Sequence, residues 1–524
     1  MNASADFLDA NLAAGRADRV AVVDAADGGE LTYGDVARGV NRTGHALRRL
    51  GVRPEERVMA LLPDCPEFIF VFFGAIRIGA VAVPVNTLLT PPEYEYLLND
   101  SRARVLVVHE RFVETIETIR ASLRHLEHIV TVGEGQPGYP RLADLLETEP
   151  SALAAVDMSD DDAAFWLYSS GTTGFPKGAV HLQHDMRCCA ESFGVGVLGL
   201  SEADRTFSVA KLFFAYGLGN ALYFPFYVGG STILLPEKPE PHRVFEVARR
   251  WRPTMFYAVP TAYAALLAAM DAGAPFDFGS VRLCSSAGEP LAASLYERWR
   301  ARTGREVLDG IGSTEVLHTF IANRRGRVRP GSSGEIVPGY DARIVDADGR
   351  DVPPGEVGDL LIKGESTCSG YWNKQDQTRR TLLGEWIRTG DKYSRDEDGY
   401  YWYQGRSDDM IKAGGYWVSP AEVESALVSH PAVLECAVVG HEDESRLTKP
   451  LAFVVLKSDR PASPDLAAEL QQHARTRLAP YKYPRWVRFV GGLPKTATGK
   501  IQRYKLRASL TTAASAPGTP PTLT

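Results

Sequence analysis

The sequence predicts an α/β protein: a large N-terminal part of two helix-covered sheets plus a β-rich, barrel-like module, followed by a small mobile α+β domain. Three observations predict it. Helical segments alternate with short β-branched strands through the first half, the pattern of parallel sheets covered on both faces. From Gly334 to Tyr403 the pattern changes to short alternating strands with turn signals at Asp348-Gly349 and Asp398-Gly399. The polar, glycine-rich stretch Gly405 to Gly415 then reads as a hinge before a compact segment of domain size.

Taken in order, the expected early strands are Arg57 to Leu62, Ala80 to Val85, Arg104 to Val108 and His128 to Val132. The stretch Phe68 to Val85 approaches the length of a membrane span. Arg77 interrupts it, as do Gly74 and Gly79, and Pro84 ends it, so a buried helix turning into a buried strand is expected and no membrane is required. A second α/β block is expected from about Asp161 to Gly326, with loops rich in Gly, Ser and Thr. Within it, Gly194-Val195-Gly196-Val197-Leu198-Gly199 satisfies Gly-x-Gly-x-x-Gly but follows a helical segment, not a strand, and reads as a turn, not a dinucleotide site. The expected domains are 1–405, 406–510 and a disordered tail, 511–524, rich in Pro, Thr and Ser.

Composition narrows the function. The chain has 524 residues, 44% hydrophobic and 23% charged, with a net charge of -7. That length favours several domains with ample core. Mild acidity without a long basic run argues against nucleic acid as partner, leaving small-molecule chemistry as the default. Six irregularly spaced cysteines with no Cys-x-x-Cys pair do not make a disulfide framework. The first twenty residues carry acids and lack a basic start and an apolar core, so a cytoplasmic protein is expected, either monomer or homodimer.

The chemistry concentrates in Tyr168-Ser169-Ser170-Gly171-Thr172-Thr173-Gly174-Phe175-Pro176-Lys177-Gly178. Glycines let backbone N–H groups turn toward an anion, hydroxyls donate further bonds, and Lys177 supplies charge, so a polyphosphate fits. The spacing differs from Gly-x-x-x-x-Gly-Lys-Ser/Thr, which excludes a P-loop of the common NTPase kind.

This stretch resembles the signature of the acyl-adenylating superfamily, which contains acyl-CoA synthetases, adenylation domains of peptide synthetases and beetle luciferases. Five further matches follow in the family's order: Ser285-Ser286-Ala287-Gly288-Glu289-Pro290, Gly312-Ser313-Thr314-Glu315, Arg388-Thr389-Gly390-Asp391, the segment Gly405 to Lys412, and Pro494 to Lys500. The resemblance implies ATP, Mg²⁺ and coenzyme A. Glu315 would hold the metal against phosphate. Thr314 would bond the α-phosphate, and Asp391 and Arg406 would hold the ribose. Gly288, Glu289, Pro290, Asp309, Gly310, Ile311, Gly312 and Ser313 would frame the nucleotide. Lys500 would bridge the carboxylate and phosphate oxygens during adenylation, offsetting their repulsion. Rotation about Asp408 would then withdraw Lys500 and bring in Lys412, Gly414 and Gly415 for the thiol step.

Two departures from the common pattern stand out: Phe214 where many members carry histidine, and Ile311 where many carry tyrosine. Lys211 to Asn220 (KLFFAYGLGN) and Gly310 to Phe320 (GIGSTEVLHTF) resemble the benzoate-CoA ligase branch. That likeness implies an aryl carboxylate held among Ala215, Tyr216, Phe224, Ala287, Gly288, His318 and Thr319, with the Thr319 hydroxyl able to favour a hydroxy- or amino-substituted ring. The expected enzyme is thus an ATP-dependent aryl-CoA ligase. The alternatives are a stand-alone enzyme loading a carrier-protein phosphopantetheine and, from another class, a binding protein that lost the chemistry.

Overall fold

A computed structural model describes residues 1–169, 176–407, 409–413, 416–443, 447–457, 461–495 and 501–513. The expected early strands form at Arg57–Leu61, Val81–Pro84, Val105–His109 and His128–Val132. They pair in parallel within a seven-stranded sheet. The apolar stretch is a helix, Pro66–Arg77, followed by the strand Val81–Pro84, both buried. Arg77 enters the core with partners: its Nε donates to the Leu153 carbonyl at 2.8 Å and its two terminal nitrogens donate to the Asp9 carboxylate at 3.1 Å each. Pairing offsets the cost of burying that charge. No helix among the described residues is long and apolar enough to cross a membrane.

The two α/β blocks are interleaved, which corrects the expectation of consecutive sheets. Strands Val20–Asp24 and Glu30–Thr32 join the second, nine-stranded sheet, where Val22 pairs with Thr232. Conversely, Ala163–Ser169 and Lys177–Leu182, placed by sequence order in the second block, belong to the first sheet. Parallel neighbours need a crossover, so tertiary packing chooses the partner and chain order alone does not. The nine-stranded sheet is parallel from Val20–Asp24 across to Val307–Gly312 and antiparallel where Thr319–Ala322 folds back on it.

The β-rich module is antiparallel, with strands Tyr340–Val345, Gly358–Gly364, Leu382–Leu383, Trp386–Arg395 and Tyr401–Arg406. Beyond it come a hairpin, Ile411–Ala413 with Tyr416–Val418, and a three-stranded sheet of Val433–Glu442, Thr448–Leu456 and Trp486–Phe489. Helices Pro420–Val428 and Pro464–Arg475 pack on this sheet through Val423, Leu427, Leu466 and Leu470. The expected turn at Gly194 to Gly199 begins only after Val195, because a π-helix, Ala190–Val195, continues the helix Asp185–Cys189 before the chain turns. The last described element is the helix Arg503–Ala513.

Candidate active site

The phosphate-binding stretch connects two paired strands of the first sheet. Ser169 ends one and Lys177 opens the next, and the two are register partners. Ser170, Gly171, Thr172, Thr173 and Gly174 lie outside the described residues. The first flank and Tyr371 converge on one carboxylate. Ser169 Oγ donates to Glu315 Oε1 at 3.1 Å, and Tyr371 Oη donates to the same oxygen at 2.8 Å. Lys177 Nζ stands 4.4 Å above the Tyr371 ring, a cation over an electron-rich face. Burial, with the Glu315 charge second, pushes the Tyr371 phenol well up, so it stays a donor. Tyr371 is a functional residue that the motifs missed.

Glu315 lies in a 3₁₀ turn, Thr314–Val316, opened by Ser313, whose Oγ accepts the Val316 N–H at 3.2 Å. The turn is pinned from behind. His181 Nε2 lies 2.7 Å from the Thr314 carbonyl, and Nδ1 lies 2.7 Å from Asp185 Oδ2, with the His181 and Asp185 side chains both buried. The carbonyl can only accept, so Nε2 carries a proton, and the close Asp185 contact at Nδ1 holds the ring plane. Gly312 has no room for a side chain: a Cβ there would stand 2.5 Å from the His318 carbonyl oxygen. Gly310 and Ile311 share that strand, Val307–Gly312, opposite Ala322 and Ile321.

Asp309 is buried at the middle of the same strand. Its Oδ2 accepts the Leu291 N–H at 3.3 Å, whereas Oδ1 has no partner among the described residues. Burial pushes the carboxyl up to about 8. Leu291 follows the turn of Gly288, Glu289 and Pro290, where Gly288 takes φ 92°, so Asp309 is tied to that turn. Asp391 and Arg406 are register partners in the β-rich module, joined from Arg406 Nη1 to Asp391 Oδ1 at 3.1 Å. The same nitrogen donates to the Thr389 carbonyl.

The expected aromatic slot is assembled around His318. Its ring centroid lies 4.5 Å from Phe224, 5.3 Å from Phe193 and 5.4 Å from Tyr216. Phe193 was not anticipated; it arrives on the π-helix Ala190–Val195. Tyr216 and Ala215 open the short helix Ala215–Leu218, and Tyr216 Oη donates to Ser285 Oγ at 3.2 Å. That bond ties the slot to the strand Leu283–Ser286, just before Ala287. Thr319 is buried at the start of Thr319–Ala322. Phe214, at the position where histidine is common, packs edge-on against Phe213 at 4.6 Å.

The expected hinge is bracketed by its neighbours. Ser407 Oγ donates to Asp359 of the β-rich module at 2.9 Å. Asp409 accepts from Arg507 at 2.8 Å and faces Arg503 at 3.5 Å, both on the C-terminal helix. Asp408, Gly414, Gly415 and Lys500 lie outside the described residues, and Lys412 is placed by its backbone in the hairpin strand Ile411–Ala413.

The profile described as AMP-binding enzyme matches residues 10–372, and that of the AMP-binding enzyme C-terminal domain matches residues 422–500. The chain belongs to the AMP-binding enzyme family. Among its AMP-binding relatives, the benzoate–CoA ligase of Thauera aromatica is 49% identical over 97% of this chain and 96% of that protein. The 4-hydroxybenzoate–CoA/benzoate–CoA ligase of Rhodopseudomonas palustris is 46% identical over 97% and 94%. The crystal structure of the anthranilate CoA ligase AuaEII in complex with anthranoyl-AMP superposes with a TM-score of 0.95 at 49% identity, covering 98% of each chain. The C-terminal AMP-binding profile ends on Lys500 itself.

Proposed function

We propose that this chain is an ATP-dependent aryl-CoA ligase. A benzoate-type carboxylate oxygen attacks the α-phosphate of ATP, forming an aryl adenylate and releasing pyrophosphate. The sulfur of CoA then attacks the acyl carbon, its proton leaves to solvent, and AMP departs. The observation that carries the proposal is the convergence of Ser169 and Tyr371 on Glu315, with Lys177 over the Tyr371 ring, in the turn next to the aromatic slot of His318. Full-length likeness to two benzoate-activating ligases supports the same chemistry.

Within this function the chain's own groups divide the work. Ser169 and Lys177 flank the polyphosphate, with Ser170 to Gly174 between them, and Thr314 bonds the α-phosphate. The Asp391–Arg406 pair offers a carboxylate and a cation to the ribose, and Asp309 Oδ1, already short of a partner, faces the nucleotide base. Mg²⁺ fits this donor set: Glu315 supplies a hard carboxylate oriented by two donated bonds, and no group of three or more His, Cys, Asp or Glu among the described residues could hold a metal alone. That suits an ion shared with substrate phosphates, whose charge it would neutralise when bound. Lys500 serves the adenylation step. Movement about Asp408 serves the thiol step, with Lys412, Gly414 and Gly415 beside the pantetheine arm and residues 406–510 as the moving domain. Unpaired cysteines at all six positions suit a reducing compartment such as the cytoplasm.

The test is thioester formation from benzoate, ATP and Mg²⁺, with free CoA compared against a phosphopantetheinylated carrier protein. Turnover with CoA is expected. Turnover with the carrier protein alone would replace the proposal with a carrier-loading enzyme.

A further inference from the structure

The turn that carries Thr314 and Glu315 runs into a strained residue. Leu317 is buried and takes φ 68° and ψ -47°, and the His318 N–H donates back across it to the Val316 carbonyl at 2.8 Å. A bond between residues two apart around a positive φ is the rare, strained form of the γ-turn. A leucine holds that backbone only where its surroundings over-determine it.

A strap formed by residues 365–371 does so. Ser366 Oγ donates to the Val316 carbonyl at 2.9 Å, the Cys368 N–H donates to the Glu315 carbonyl at 2.8 Å, and Tyr371 Oη reaches the Glu315 carboxylate. The strap is itself fixed: the Glu365 carbonyl lies 3.0 Å from His184 Nε2, and the Ser369 N–H donates to the Val180 carbonyl at 2.9 Å. Of the three contacts to the turn, that of buried Ser366 alone meets the carbonyl that closes the γ-turn. Its direction is determined as well. A carbonyl can only accept, so the single Ser366 proton points at Val316, and the Tyr340 hydroxyl, 2.7 Å away, donates to Ser366 Oγ. Burial, with Cys189 second, holds the Tyr340 phenol well above its ordinary range, so the donor keeps its proton. The Tyr340 ring lies flush on Gly364, its register partner, where a Cβ would stand 2.2 Å from the ring.

We propose that Ser366 is a positioning residue for adenylation: guided by Tyr340, its hydroxyl holds the Val316 carbonyl and with it the Leu317 γ-turn, which sets how Glu315 faces ATP and Mg²⁺. The proposal rests on the ligase function above. Ser366→Ala removes the hydroxyl, and Tyr340→Phe keeps the ring while leaving that hydroxyl without its guide. Two readouts separate positioning from a loosened fold. By calorimetry, the gain in ATP affinity on replacing EDTA with Mg²⁺ is expected to shrink about 3- to 10-fold in Ser366→Ala, and by a smaller factor in Tyr340→Phe. In single-turnover assays, adenylate formation from benzoate is expected to slow by the same factor of about 3- to 10-fold, whereas thioester formation from a supplied aryl adenylate, with no pyrophosphate to hold, keeps its rate. A folded Ser366→Ala with the parental Mg²⁺ gain would overturn the proposal, as would equal slowing of both half-reactions. If Ser366→Ala does not fold, Tyr340→Phe decides, and parental values in both readouts overturn the proposal. No pyrophosphate release by the parent protein from any benzoate removes the ligase function and this inference together, whereas parental behaviour of the variants in an active enzyme removes this inference alone.

Discussion

Tyr371 donates a 2.8 Å hydrogen bond to Glu315, a residue 56 positions earlier in the chain. The phenol reaches the carboxylate from the short strand Gly370–Tyr371, which pairs with the strand that Lys177 opens. One side chain therefore couples the phosphate-loop flank to the proposed metal-holding acid.

Tyr371→Phe keeps the ring beneath Lys177 and removes the donor. Hydrogen bonds to charged groups are worth about 1.5–3 kcal/mol. The expected outcome is a loss of about 10- to 150-fold in kcat/KM for MgATP, measured by pyrophosphate release across a Mg²⁺ titration. Wild-type kinetics at every Mg²⁺ concentration would show that Ser169 alone orients Glu315.

Gly219→Ala places a methyl group 2.4 Å from Cδ2 of the His318 ring, far inside van der Waals contact. The imidazole is walled in by Phe193 and Phe224 and has nowhere to move. Overpacking of this kind costs about 1–3 kcal/mol, readable as a lower urea midpoint. A variant as stable as the parent would mean that the helix shifts to make room.

Asp309 gives a pH dependence with a definite sign. Its folded carboxyl holds a proton up to about 8, against an ordinary value of 3.8. Between those values the folded state binds more protons than the unfolded chain. Stability relative to Asp309→Asn is therefore expected to fall as pH rises from about 4 to about 8 and to level off above. Urea midpoints of both proteins over that range check it, and a constant difference would mean that Asp309 is ionised in the fold.

Lys500→Ala is expected to abolish aryl adenylate formation while sparing thioester formation from a supplied adenylate. Equal loss in both assays would sink the division of labour.

Asp408→Pro should do the reverse. Ser407 is tied to Asp359 on one side and Asp409 to Arg507 on the other, the neighbours of the proposed pivot. Proline fixes φ there. The thiol step is expected to slow far more than adenylation in single-turnover assays; equal slowing would locate the movement elsewhere.

Much of this was legible in sequence because the chemistry comes in contiguous runs. Glu315 and Thr314 are read from Gly-Ser-Thr-Glu, and the strand His128–Val132 from its β-branched run. Tyr371, His181 and Phe193 were not legible, because each acts by a contact across the fold and carries no local signature: a tyrosine after a turn, a histidine in an alternating strand, an aromatic on a helix. The exchange of strands between sheets was hidden for a similar reason. Local pattern specifies a strand and its faces, whereas its neighbour depends on where a crossover returns.

That exchange has a consequence for biosynthesis. Val22 waits for Thr232. At ribosomal speeds of roughly 5–20 residues per second, the two strands emerge roughly 10–40 s apart, and through that interval the strand Val20–Asp24 has an open edge. The helix Tyr33–Arg49 and the early strands of the first sheet can condense early, but Val20–Asp24 cannot gain its parallel neighbour until nearly half of the protein has been made. A ribosome-stalled fragment ending before residue 231 should therefore remain sensitive to protease at its N-terminal hairpin, and the enzyme's yield in cells should depend on how well chaperones shield that edge in the meantime.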